Sequence, residues 1–477
     1  MNDPLPQLSW SDFVNDLARL LRTRNIATPL YVVGGAVRDA YLRRAITDID
    51  IAVAGEAVGL ARRLADWLDG DIYVMDRERG VARVIVPRQG ERYCVDVARF
   101  RGETLEQDLR DRDFTMNAMA VDLLGDLQGL IDPLGGIKDL RQKVLRCCSP
   151  RSFADDPVRM LRAVRLSAQF DLKIHPQAAA EIRARSAELG QVSGERVRDE
   201  LFKLLGLEQA ARALRVLLHT NLLQALIARQ SGYLNEELMA RLSADGWNAS
   251  LAAAKRMSAL LTAISARRTD NTAAAFDLGM LVIQLDRFRV SLQTHVAREY
   301  GKARSHADLL ILAALLHDRA PDAIDSLLAA LKLTVAEERN LVSAVANYRR
   351  IGDQRAWSAL DQHRFWYQLG AGGIDAILLA SAQYLGSAGR DLKQRDWLDF
   401  VETATTLLDA YFNRYAEIVE PALLLDGNDI RALCNLAPGP LIGELLTALR
   451  EAQVTGAVRS AGEAADFVVV RAASMRN

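Results

Sequence analysis

Four cysteines are all that 477 residues contain, and Cys94, Cys147, Cys148 and Cys434 form no C-x-x-C pair. That excludes a disulfide framework and a zinc ribbon. Histidine is scarce, at six residues, which leaves little material for a histidine-built metal centre. The formal net charge is only −1, so an anionic polymer would have to be held by local basic patches. No apolar run reaches the roughly 20 residues that a membrane-spanning helix needs. There is no low-complexity tract, no strong fixed-period repeat and no secretory leader pattern. These absences lead to the expectation of a protein of the reducing cytoplasm with no membrane partner.

What is present is length and apolar content. Half of the residues are hydrophobic, enough for several cores, and the length predicts two to four units. "PLYVV" (29–33), "TDIDIAV" (47–53), "DIYVM" (71–75), "VARVIVP" (81–87) and "RYCVDVARF" (92–100) read as strands, with "AVGLARRLADWLDG" (57–70) an amphipathic helix. Beyond "DPLGGIKDL" (132–140) the strand signals fade, and from about residue 153 the pattern is helical almost to the end. The expectation is an α/β head over 1–150, a helical neck over 151–207, a helical body over 208–350 and a helical tail over 351–477. Breaks are placed near 205–210, within 230–250 and near 350.

The chemistry concentrates in "YVVGGAVRDAYLRRAITDIDIAV" (31–53). Gly34 and Gly35 lie between a strand and a helix starting near Ala36, where residues without Cβ let backbone N–H groups approach an anion. Arg38 falls in the first turns of that helix, where a guanidinium can grip phosphate oxygens. Taken alone, the glycines and Arg38 are explained better by a tight strand–helix turn. Asp48 and Asp50 are more informative. On a strand, positions i and i+2 share a face, and adjacent carboxylates are costly unless a cation sits between them. Oxygen ligands on a firm scaffold suit Mg²⁺. Asp96 could add a third carboxylate, although a strand-end aspartate in water remains the alternative.

In "DDPVRMLRAVR" (155–165), Asp156, Arg159, Arg162 and Arg165 recur every three residues, placing them along one side of a helix. A solvated stripe is the ordinary meaning of that spacing. Yet a carboxylate acceptor beside a guanidinium donor also matches cytosine and adenine, which present an exocyclic amino group beside a ring-nitrogen acceptor. The carbonyl oxygens of uracil and guanine would face the carboxylate instead.

Five segments in order, "VVGGAVRDAYL…TDIDIAV", "RDFTMNAMA" (112–120), "DPLGGIKDL", "DDPVRMLRAVR" and "SGERVRDELFKLL" (193–205), span about 175 residues. Together they resemble the class II tRNA nucleotidyltransferase and bacterial poly(A) polymerase family, of the polymerase-β-like superfamily. The resemblance implies a polymerase-β-like head with a mixed sheet followed by an all-α neck, body and tail. It implies Mg²⁺ on Asp48 and Asp50, with Asp96 nearby, and tRNA and CTP, with ATP an open alternative, as partners. It assigns the triphosphate grip to Gly35 and Arg38, beside Gly34. Base reading goes to Arg112, Asp156 and Arg159, and nucleotide binding to Arg162 and Arg165. Asn117 is a weaker site candidate, with a capping or packing role as its alternative.

Two departures from the family pattern stand out. Asp155-Asp156 replaces Glu-Asp, and Asp111-Arg112-Asp113 replaces Arg-Arg-Asp, removing one positive charge. Only "GETLEQ" (102–107) separates the last strand from "DLRDRDFT". Many CCA-adding and A-adding relatives carry a longer flexible lever there. The resemblance ties its loss to enzymes that add two cytidines and leave adenosine to a separate A-adding enzyme. Full CCA addition, A addition, poly(A) synthesis and a non-catalytic RNA-binding relative are the alternatives.

In the helical part, Ser193 is expected to open a helix bracing the neck. "HADLLILAALLHD" (306–318) is similar to an HD phosphohydrolase motif, but His317-Asp318 has no upstream histidine partner at the expected distance, so packed helix is the reading. "PGPLIGELL" (438–446), with Arg431 and Arg450, is a candidate contact for the tRNA elbow, with a plain helical turn as the alternative.

Overall fold

Helix α1 (Asp12–Thr23) begins at Ser11, whose hydroxyl accepts from the Val14 N–H. Its buried Phe13, Val14, Leu17, Ala18 and Leu21 recur at helical spacing and form one apolar face. The computed structural model describes residues 7–24, 26–228, 247–265, 276–301, 304–354, 356–388 and 392–476. Most of the break expected within 230–250 therefore lies outside the described residues. The chain forms two compact units, one of Met1–Glu200 with Val216–Leu226, the other of Leu201–Arg215 with Ile227–Asn477.

In the first unit, β1 (Leu30–Val33) runs into α2 (Gly35–Tyr41) and back as β2 (Asp48–Val53). Then come α3 (Ala57–Leu68), β3 (Asp71–Asp76), β4 (Val81–Arg88) and β5 (Glu91–Arg99). After α4 (Leu105–Arg110) and a 3₁₀ turn at Thr115–Asn117, β6 (Ala120–Asp122) and β7 (Leu130–Ile131) complete a seven-stranded sheet in the order β3-β4-β5-β2-β1-β6-β7. β2 and β5 are parallel, and the other neighbours are antiparallel. The sheet is mixed, as the resemblance implies.

Strand alternation sorts the two faces. Ile49, Ile51, Val84, Val95 and Val97 are buried on one, and just past α3 a Cβ on Gly70 would lie 3.2 Å from both the Val84 and Val86 side chains. The opposite face carries Asp48 and Asp50. Toward the β1 side it is covered by Leu109 of α4, which packs in one cluster with Val33, Ala52, Ala118 and Ala120.

Helix α5 (Gly136–Arg141) and the short strand β8 (Val144–Leu145) lead to α6 (Ser152–Asp155) and α7 (Val158–Gln169). β9 (Lys173–Ile174) pairs in parallel with β8, followed by α8 (Pro176–Arg185) and α9 (Gly194–Leu205), which starts directly after Ser193.

Among its described residues the second unit is helical apart from a two-stranded ribbon at Glu299–Gly301 and Arg304–Ser305. Helix Asn248–Ile264 packs on Gly372–Ala388 so closely that a Cβ on Gly386 would lie 2.8 Å from the Ala253 nitrogen. Toward the C-terminus, Ile430, Leu445, Leu449, Val458 and Val468 make a separate small core. Among the described residues no helix is long and apolar enough to cross a membrane.

Candidate active site

Gly34 adopts φ 77° and ψ −135°, a conformation that strains any L side chain. Its N–H donates to the Met119 carbonyl at 3.1 Å, so this amide is not available to an anion. The reason for glycine here is room. A Cβ would lie 3.0 Å from Arg112 Nη1 and 3.1 Å from Asp50 Oδ2, so two candidate side chains meet over this one residue.

Asp48 and Asp50 open β2 on the same face. Asp48 is exposed and Asp50 half-buried. In the parallel register Asp50 stands beside Asp96. Burial pushes the Asp50 carboxyl above its usual range, against the pull of Arg112 and Arg162 and with the push of the Asp96 and Asp48 carboxylates. Two aspartates held on one strand face, one of them reluctant to ionise, form a donor set that fits a divalent cation. Asp96 is not a loose strand-end group: Arg83 of β4 binds it through Nε and Nη2, both at 2.7 Å. Sequence reading missed Arg83, and its one signal is an arginine within an otherwise apolar strand.

The arginines are anchored individually. Arg112 donates through Nε and Nη2 to the buried Asp108 at 3.1 and 3.0 Å, leaving Nη1 toward Gly34 and Asp50. Asp108 also accepts from the Arg101 N–H, so "GETLEQ" is no free loop. Instead Thr104 and Gln107 form a capping box that starts α4. Asp113, buried, pairs with Arg162 at 2.8 Å and accepts from Asn117 Nδ2 at 3.1 Å. Burial would raise the Asp113 carboxyl, but Arg162 and these hydrogen bonds hold it below the usual range.

Three positions differ from the sequence picture. Asp156 is not on the helix with the arginines. It has extended backbone before Pro157, as a residue preceding proline prefers, and α7 starts at Val158. Arg196 of α9 takes one of its two oxygens at 2.7 Å, while Arg159 reaches the Ser152 and Asp111 carbonyls at 3.4 and 3.1 Å and the Ser152 hydroxyl at 3.2 Å. Arg38 is only 8% exposed. It is bidentate to Asp39, donates to Asn117 Oδ1 at 2.6 Å and stacks on Phe170, so it braces Asn117 from within. Arg165 ties α7 to α9 through Glu200 at 2.7 Å.

A second cluster lies in the helical unit, where His295, His306 and Asp375 place ligand-type atoms within 4.8 Å of one another. Its distances are those of hydrogen bonds. The two Nε2 atoms lie 2.6 and 2.7 Å from the same Asp375 oxygen, whereas ligands on one tetrahedral metal ion would stand about 3.3 Å apart. Arg298 donates to His295 Nδ1 and has no acceptor, so His295 must carry its proton on Nε2 and give it to Asp375. Burial alone would raise the Asp375 carboxyl; the two imidazole hydrogen bonds overcome this and hold it low. Such a network locks helices together. His317 is likewise structural: buried, it bonds the Ala314 carbonyl at 2.9 Å, and Asp318 pairs with Arg349 at 3.5 Å. Neither arrangement supports a hydrolase centre.

Comparison with known proteins gives matches along the chain. Residues 30–146 match the poly A polymerase head domain, and 171–231 match the probable RNA and SrmB-binding site of polymerase A. The chain is 32% identical over 448 residues to a CC-adding tRNA nucleotidyltransferase of Geobacter sulfurreducens, covering 92% of this chain and 91% of that protein. To an A-adding tRNA nucleotidyltransferase of Deinococcus radiodurans it is 30% identical, covering 92% and 94%. Its fold is similar to that of a CCA-adding enzyme solved with ATP, at a TM-score of 0.67, 22% identity and 97% and 96% coverage. It is also similar to the Thermotoga maritima CCA-adding enzyme complexed with tRNA, at a TM-score of 0.60, 21% identity and 97% and 96% coverage.

Proposed function

Because this chain belongs to the tRNA nucleotidyltransferase family, whose members are enzymes, we propose that it adds two cytidines to the 3′ end of tRNA. The nucleotide donor is CTP. The primer 3′-hydroxyl attacks the α-phosphate, the bond to the β-phosphate breaks and pyrophosphate leaves. The observation that carries this reading is the meeting of Asp50 and Arg112 over Gly34, with Asp48 and Asp96 on the same sheet face.

Asp48 and Asp50 would hold Mg²⁺, which when bound supplies charge neutralisation at the triphosphate and acidifies the attacking hydroxyl. Arg112 Nη1 lies beside Asp50, where a nucleotide's polar edge or phosphate would arrive. Asp156 and Arg159 offer the acceptor and donor that match cytosine, and Asp113 with Asn117 holds Arg162 in place. Leaving one buried polar group unpaired by a wrong base costs about 1–3 kcal/mol, roughly tenfold or more in selectivity.

Stopping after two cytidines is supported by the short, capped α4. Asp108 joins that segment to Arg112 and to the Arg101 amide, so a change of base-reading geometry would have to break these bonds. A separate A-adding enzyme would then complete the end. The tail is proposed to meet the tRNA elbow through the exposed Pro438-Gly439-Pro440 turn, which opens helix Pro440–Val454 with exposed Arg431 nearby in sequence. We also retain head, neck, body and tail as the working division, and the cytoplasm as the compartment.

The test is incubation with tRNA lacking its CCA end and each NTP singly, then CTP with ATP, in buffer containing Mg²⁺. Two added residues with CTP and none from ATP is the expected result. A third residue with CTP and ATP together assigns full CCA addition, and incorporation of ATP onto tRNA ending in CC assigns A addition.

A further inference from the structure

The charged side chains around Asp50 are matched in pairs. Asp96, beside it in the register, is held by Arg83 at 2.7 Å. Arg162 is paired with the buried Asp113 at 2.8 Å, and Arg112 with the buried Asp108 at 3.0 Å. Among the described residues Asp50 itself has no ion pair and no side-chain hydrogen bond. A guanidinium is nevertheless at hand. Asp50 Oδ2 and Arg112 Nη1 lie 3.1 and 3.0 Å from one point, the place a Cβ on Gly34 would take, so the two stand within about 6 Å of each other. At that range, in a half-buried site, opposite charges close into a pair unless one of them is held elsewhere.

Arg112 is held elsewhere, by Asp108. Oδ2 of Asp108 accepts from Arg112 Nε and Nη2 at 3.1 and 3.0 Å, while Oδ1 accepts from the Arg101 N–H at 3.1 Å. The two oxygens therefore have two tasks. The Arg101 bond alone would brace the chain between β5 and α4. The second oxygen is turned on Arg112, one helical turn further on.

We propose that Asp108 is a positioning residue of the metal site: by holding Arg112 back it leaves the Asp50 carboxylate to the divalent cation and Arg112 Nη1 to the nucleotide. The proposal rests on the reading of Asp48 and Asp50 as Mg²⁺ ligands. Were Arg112 to pair with Asp50, one of those two carboxylates would be neutralised, and the cation would meet a guanidinium in its place.

Asp108→Asn separates the two tasks. Its side-chain amide keeps an oxygen for the Arg101 N–H and turns an NH₂ donor toward Arg112, which then finds no acceptor there. Mn²⁺ alone is titrated into the full chain, free Mn²⁺ is read by electron paramagnetic resonance, and the binding that Asp50→Asn abolishes is the quantity compared. Asp108→Asn should weaken it about tenfold, and Asp108→Asn combined with Arg112→Gln should restore it to within about twofold of wild type. Arg112→Gln alone should bind Mn²⁺ at least as tightly as wild type. In CMP incorporation, Asp108→Asn should raise the Mg²⁺ concentration that gives half-maximal rate by a similar factor.

A double variant that binds as weakly as Asp108→Asn overturns the proposal and makes Asp108 a brace only. Binding within twofold of wild type in Asp108→Asn overturns it too. So does weakened binding in Arg112→Gln alone, a result that decides the matter whether or not Asp108→Asn folds. Wild-type Mn²⁺ binding that Asp50→Asn leaves untouched removes the metal reading itself and this proposal with it, whereas the three other results leave the metal reading standing.

Discussion

Gly34→Ala is the most informative single substitution because one methyl group tests backbone and site together. At φ 77° and ψ −135° an alanine carries a backbone cost of about 1–3 kcal/mol. Its Cβ would sit 3.0 Å from Arg112 Nη1 and 3.1 Å from Asp50 Oδ2, where ordinary contact begins at 3.4 Å. Each side chain must therefore yield by about 0.3–0.4 Å, a shift these ends can make.

The stability loss then stays near the backbone value. For a unit of this size it corresponds to a fall in melting temperature of about 2–12 °C. The functional loss is larger in proportion. A displacement of 1 Å can cost about a hundredfold, so a few tenths should lower kcat/KM for CMP incorporation by about tenfold. Gly35→Ala is the control. Its Cβ would meet only the Arg38 guanidinium, at 3.3 Å, and Gly35 has no positive φ, so its melting temperature should fall less than that of Gly34→Ala. Calorimetry and single-turnover CMP incorporation read the two effects. Should Gly34→Ala keep activity within twofold of wild type while Asp50→Asn does not, the crowding of Asp50 and Arg112 over this residue would have no catalytic meaning.

Two other outcomes follow from buried charge. The Asp50 carboxyl is raised by burial above its value in the unfolded chain, so the stability it contributes in acid is lost as pH rises past about 4, and at neutral pH its charge opposes folding. Asp50→Asn should accordingly melt no lower than wild type in metal-free buffer while incorporation drops by about 10²–10³-fold; a clear fall in melting temperature would contradict this. In the helical unit, Asp375→Ala leaves two imidazole N–H donors unpaired and should cost about 2–6 kcal/mol, read by urea titration. Burial lowers the His295 pKa below 6.5, so the unfolded chain binds the extra proton first and stability falls as pH drops below 6.5. The depressed Asp375 extends that loss below about pH 4, and a melting temperature flat from pH 7.5 to 4.5 would rule the network out as a stabilising element.

How far the sequence could be read depended on the range of the interaction. Strands 29–33, 47–53 and 71–100 were legible because side-chain alternation is local, and β1 to β5 lie within a residue or two of those limits. The pairing of Asp48 and Asp50 on one face follows from the same period of two. The helix limits around Asp156 were not legible from triplet spacing alone, although Pro157 carried the signal that its predecessor would be extended.

By itself, then, the sequence determined which residue types stand at which period along the chain: the acidic pair, the glycine turn, the arginines three apart, and a resemblance covering the whole constellation. The tertiary structure alone decided which partner each charge has. Arg83 closes on Asp96 across two strands, Asp108 fixes Arg112 one helical turn on, Arg196 comes from 40 residues away to Asp156, and Arg38 turns inward to Asn117. The physical reason is that backbone periodicity is a property of neighbouring dihedral angles, whereas the partner of a side chain depends on how distant elements pack and on which water-facing positions that packing leaves open.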